Sequence, residues 1–112
     1  MTSLSHLHCS HINNKDAVLS ENQILDYHQE LSNNWQTNPG ASGIYREFKF
    51  ENYYQTIAFV NAAAWIVHEQ DHHPEMTISY NRCLITFSTH SINSLSINDF
   101  ICAAKINEII TE

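Results

Sequence analysis

Apolar and polar positions along the chain switch between two periods, and the switches mark the elements. Ile24, Tyr27 and Leu31 recur at helical spacing behind Ser20 and Gln23, a pair spaced as a capping box, so a first helix opens at Ser20. Asn33-Asn34 is its expected end, Trp35-Gln36-Thr37 a short strand, and Asn38-Pro39-Gly40 a turn. Across residues 44–50 the period falls to two: Ile44, Arg46, Phe48 and Phe50 share one face, and Tyr45, Glu47 and Lys49 the other. Asn52 then caps the longest helix, which should run to about Gln70. Its expected stripe is Tyr53, Ile57, Val60, Ala64 and Val67, widened by Phe59, Ala63 and Ile66. Trp65 falls outside that stripe, beside Ala58 and Ala62. It is expected either to lie flat on its own helix or to meet a second surface such as a partner subunit.

Residues 77–80 and 83–89 read as two strands around Asn81-Arg82. A two-residue loop there sets Tyr80 opposite Cys83, Ile78 opposite Ile85 and Met76 opposite Phe87. The same register carries His73 opposite His90, at one end of the hairpin. Ser96 and Asp99 form a second capping box, opening a last helix whose Ile97, Phe100, Ala103, Ile106 and Ile110 should face the core. The order is α-β-β-α-β-β-α. Hairpins joined by helices imply an α+β fold, a four-stranded antiparallel sheet with three helices packed on one face.

A length of 112 residues suits one core. Residues 1–19 are polar and unpatterned and read as a tail or loosely docked segment, leaving 20–112 as the domain. The tail's His6, His8, Cys9 and His11 have the chemistry of zinc or copper ligands, although such a site normally needs a fold to hold it. Twelve acidic against five basic residues, net −7, leave no basic cluster for nucleic acid. No apolar run reaches a membrane span, and the first residues lack the basic-then-apolar order of a signal peptide. Cys9, Cys83 and Cys102 are odd in number and scattered, as free thiols in a reducing cytoplasm would be.

Where the long helix gives out the chain reads His68-Glu69-Gln70-Asp71-His72-His73-Pro74. Proline forces His73 into extended backbone, so His72 should close the helix. Tyr80 follows six residues past Pro74, His90 ten past Tyr80, and Asp99 nine past His90. This spacing resembles the signature of the pterin-4a-carbinolamine dehydratases, and the likeness extends to Phe48-Lys49-Phe50, Phe59-Val60-Asn61 and the segment Leu84-Ile85-Thr86-Phe87-Ser88-Thr89-His90, or roughly residues 20 to 110. The resemblance implies the same α+β fold. It also implies dehydration of a 4a-hydroxytetrahydropterin left by an aromatic amino-acid hydroxylase, in a homodimer or homotetramer, with no metal or organic cofactor. By that resemblance His72 and His90 are the acid/base pair and His73 mainly holds the pterin while assisting proton transfer. Imidazole, with a reference pKa of about 6.5, can serve either way near neutral pH. His68, Pro74 and Asp99 would support the site, Asp99 through His90, while Tyr80 more simply packs in the hairpin.

Three positions depart from the commonest form of the signature. His68 stands where glutamate is usual, and it cannot supply the negative charge that raises a neighbouring imidazole's pKa. Met76 stands for a frequent Trp, and Ser94 for a usual Gly before Leu95. Two other readings compete with the dehydratase. His68 and His72, at i and i+4, share a helix face as zinc pairs do, with His73 and His90 as further ligands. Alternatively, the fold is a non-enzymatic dimerisation or coactivator-type binding module, as in some family members.

Overall fold

Seven regular elements follow in the expected order in a computed structural model that describes residues 3–31 and 34–110. They are α1 (Glu21–Glu30), β1 (Gln36–Thr37), β2 (Ile44–Lys49), α2 (Tyr53–Gln70), β3 (Glu75–Ser79), β4 (Arg82–Phe87) and α3 (Ile97–Asn107). Both capping boxes form: Ser20 and Gln23 open α1, and Ser96 and Asp99 open α3. Asn52 caps α2 by accepting from the Gln55 backbone N–H. Helix α1 ends at Glu30, with Leu31 as its extended C-cap, before the expected stop, and of that Asn33-Asn34 pair Asn33 lies outside the described residues.

The strands form one antiparallel sheet in the order β1-β2-β4-β3. Ile44, Arg46 and Phe48 of β2 and Cys83, Ile85 and Phe87 of β4 are buried under the helices. The other face leaves Glu47 and Lys49 to water. This is an α+β sheet with helices on one side. Fully buried Trp35 fills the join, and its Nε1–H and an Arg46 N–H both donate to Asn107 Oδ1 (2.7 and 2.8 Å).

The hairpin register differs from the expectation. Ser79 pairs with Arg82, so Tyr80-Asn81 is the loop; Ile78 faces Cys83 and Met76 faces Ile85. Each partner is displaced by two positions, which preserves the inward faces but no longer sets His73 opposite His90. The cause is distant in sequence. Tyr80 O accepts from the Thr56 hydroxyl (3.0 Å) and Asn81 O from the Phe50 N–H (2.8 Å), so the turn is fixed by α2 and the end of β2.

The stripe of α2 is also rotated. Thr56, Phe59, Ala63 and Val67 are buried, whereas Tyr53 is 52% exposed and Ala64 lies at the surface. Apolar side chains surround much of this helix, so hydrophobicity alone does not select a face. Thr56 is fully buried because its hydroxyl, also 2.9 Å from Asn52 O, has partners there. Trp65 does point outward, 63% exposed. Helix α3 is buried more widely than one stripe, from Asn98 through Ala103 and at Ile106. Its second side is covered by the N-terminal segment, whose Leu4 joins the core and whose Ser5 O accepts from Lys105 Nζ.

Candidate active site

The histidine cluster is built by two chain reversals that meet at one end of the β3–β4 hairpin. Helix α2 stops at Gln70 because Asp71, rather than His72, turns into left-handed backbone (φ 51°). The Asp71 N–H returns to His68 O and the His72 N–H to Val67 O, which closes the last turn. His72 is thereby carried inward while His73 stays exposed. Beyond β4, Thr89 and Ser94 pair backbone to backbone and project a tight turn that begins at His90. Left-handed backbone there falls on Asn93 (φ 50°), so Ser94 in place of the usual Gly meets no conformational demand.

His72, His73 and His90 line one cavity of about 240 Å3, together with Asp71, Ser88 and Thr89. That is somewhat below the roughly 300–1,000 Å3 of drug-sized ligand sites and suits a small ring system. A larger hollow, about 390 Å3, lies by Glu69, Lys105 and Glu108 and contains none of the three.

Beneath His72 is a buried polar cluster. His72 Nε2 lies 2.6 Å from Asp99 Oδ1, and Asp99 is fully buried. Asp99 Oδ2 accepts from the Thr89 hydroxyl (2.8 Å) and the Ser96 N–H (3.0 Å), and the Thr89 and Ser96 hydroxyls are themselves paired at 2.7 Å. Every buried side-chain polar atom among the described residues has a partner. Burial alone would lower the pKa of His72. The hydrogen bond to Asp99 and the charge of that carboxylate outweigh it, so the pKa is raised. The His72 ring also stacks on Phe87 (centroids 6.1 Å apart, planes 9°). Asp99 therefore supports His72, where the sequence suggested His90.

Other expected site residues lie elsewhere. His68 is exposed, its ring 6.2 Å from that of Trp65, and does not line the cavity. Pro74 is half-buried beyond the lining residues, and Met76 packs on the core opposite Ile85. Tyr80 is 64% exposed and stacks on Tyr53 at the opposite end of the hairpin.

No periodicity or motif of the N-terminal segment marks it as a wall of the cavity. Ser10, His11 and Ile12 line it, as does buried Asn98. Asn98 clasps the Ser10 backbone at both groups: Nδ2–H donates to Ser10 O (2.7 Å) and Oδ1 accepts from Ser10 N–H (3.2 Å). The Ser91 hydroxyl donates to Ile12 O. The four tail residues with metal-ligand chemistry diverge: His6 pairs with Ser3, His8 lies near Gln70, Cys9 meets Cys102 and His11 faces the cavity. Among the described residues no three His, Cys, Asp or Glu side chains are grouped to hold a metal.

The sequence pattern of the family described as pterin 4 alpha carbinolamine dehydratase matches residues 17–109. A Legionella pneumophila protein provisionally named pterin-4-alpha-carbinolamine dehydratase is 42% identical over the full length of both chains. A Nitrosospira multiformis protein with the same provisional name is 50% identical over 81% of this chain and 78% of its own. Among solved structures, a transcriptional coactivator/pterin dehydratase from Brucella melitensis superposes with a TM-score of 0.77 at 35% identity, covering 82% of this chain and 97% of that one. A pterin dehydratase-like protein identified as a RuBisCO assembly factor in the alpha-carboxysome has a TM-score of 0.58 at 22% identity, over 67% of this chain and 87% of that one, and shares the fold.

Proposed function

The chain belongs to the pterin 4 alpha carbinolamine dehydratase family, and we propose that it dehydrates 4a-hydroxytetrahydropterin by histidine acid/base catalysis. The observation that carries this reading is the convergence of His72, His73 and His90 on one small cavity. The C4a–O bond breaks as the departing hydroxyl takes a proton and leaves as water. The N5 proton is lost to a base, and a C4a=N5 double bond forms, giving the quinonoid dihydropterin. His72 is the acid, because Asp99 favours its charged form and, by occupying Nε2, leaves Nδ1 for the ligand. His90, on the separate turn, is the base, and exposed His73 holds the pterin ring and assists proton transfer. The acid and the base come from different reversals of the chain. Neither a metal nor an organic cofactor enters this scheme.

The reading places the chain in the cytoplasm, returning the cofactor of an aromatic amino-acid hydroxylase to its cycle. It also takes the chain as a homodimer or homotetramer. Purified chain should accelerate loss of the 4a-hydroxytetrahydropterin absorbance above the buffer rate, with or without a chelator. No acceleration by folded protein would refute it. The alternative, a non-enzymatic binding module, draws on the exposed Trp65, Ile78 and Tyr80; retained oligomerisation without turnover would favour it.

A further inference from the structure

Cys9 is on the N-terminal segment and Cys102 on α3, 93 positions apart, yet their Sγ atoms are 3.6 Å apart. Cys102 is fully buried, while Cys9 is partly open to solvent. One residue beyond Cys9 the chain becomes the cavity wall at Ser10, His11 and Ile12. Among the described residues this wall is held by hydrogen bonds, including the Asn98 clasp, the Cys9 N–H to Gln70 Oε1 (2.7 Å) and the Ser91 hydroxyl to Ile12 O.

We propose that Cys9 and Cys102 form a redox-responsive dithiol, joined by a disulfide-class oxidant such as oxidised glutathione, and that the bond latches the N-terminal segment over the histidine cavity. The hydrogen bond from Cys102 lowers the pKa of Cys9, and His72 and Lys105 add to the effect, so the more accessible sulfur is the nucleophile. The same contact holds the proton on Cys102, whose pKa is raised. Cys9 thiolate attacks one sulfur of the oxidant, whose S–S bond breaks to release a first glutathione thiolate. With the Cys9 charge consumed, Cys102 gives up its proton and attacks the Cys9 sulfur, displacing the second glutathione. The dithiol loses two electrons, the oxidant gains them, and the protons end on two glutathione thiols. Cys83, on the core face of β4 and raised in pKa by burial, stays a thiol.

The test uses the full chain, reduced and then exposed to oxidised glutathione. The expected intact mass falls by two hydrogens, a non-reducing peptide map joins Cys9 to Cys102, and Cys83 remains open to alkylation after unfolding. Dithiothreitol reverses the change, and neither Cys9→Ser nor Cys102→Ser shows the mass loss. Protease cleavage within residues 3–19 should slow about ten-fold or more on oxidation, as it follows the population of the detached segment. Unchanged thiols, a persistent glutathione adduct without cross-link, or a bond through Cys83 would overturn the dithiol. Equal cleavage rates in the cross-linked and reduced chains would overturn the latch. Neither readout depends on pterin turnover.

Discussion

The two ends of the β3–β4 hairpin depart from the usual distribution of polar and apolar groups in opposite directions. At the cavity end Thr89, Ser96, Asn98 and Asp99 are buried, whereas at the turn Ile78 and Tyr80 are 41% and 64% exposed beside Tyr53. The buried end is internally complete: each carboxylate oxygen of Asp99 is engaged, and Asn98 clasps Ser10. The exposed end has apolar area at Ile78, Tyr80 and Tyr53 that only another surface would cover, and Trp65, nearer the last turn of α2, is a separate exposed apolar position. Polar groups are thus buried where they orient His72, the proposed acid, and apolar groups are left out where the proposed assembly would form.

Removing the anchor of the buried end should have the largest effect. Asp99→Ala leaves His72, the Thr89 hydroxyl and the Ser96 N–H without their acceptor, and stability should fall by about 3–5 kcal/mol, read from urea unfolding. An unchanged midpoint would show that the cluster is not the support described. The same pair gives a pH signature. The pKa of His72 is raised by folding, so its contribution is full below the unfolded value of about 6.5 and is lost as pH rises through the folded value. The stability gap between wild type and His72→Phe should therefore narrow between acid and alkaline pH, and a gap that widens would contradict the ion pair.

On the outward face of α2, Trp65→Glu should shift the proposed assembly toward monomer in light scattering at micromolar concentration while leaving the fold intact. A wild-type chain that is already monomeric would remove the contrast between the ends. The smallest effect belongs to His68, which lies outside the cavity. His68→Glu restores the commoner residue of the signature and should preserve or modestly raise turnover. Abolished turnover in folded protein would give His68 a direct role.

What the sequence made legible was local. The caps at Ser20, Asn52 and Ser96 depend on side chains within three residues, and the alternation of β2 depends on one strand. The spacing of His72, His73 and His90 identified the cluster, and the structure places all three around one cavity. What stayed hidden depends on distant partners. The turn at Tyr80-Asn81 is set by Thr56 and Phe50, and a polar Thr56 on the buried face is intelligible only once that turn is in place. Likewise Asp99 reads as a helix cap, which it is, while its other oxygen meets His72 from 27 residues away. The segment around Ser10 has no periodicity because it is held by Asn98 and Gln70 rather than by its own pattern.

The catalytic assignment is tested most directly by turnover of 4a-hydroxytetrahydropterin in His72→Ala, His90→Ala and the double variant, each checked for folding. Each single replacement should lower turnover by about two or more orders of magnitude. The double should cost less than the product of the singles if acid and base act as a unit. Wild-type turnover surviving in the double variant would contradict the account.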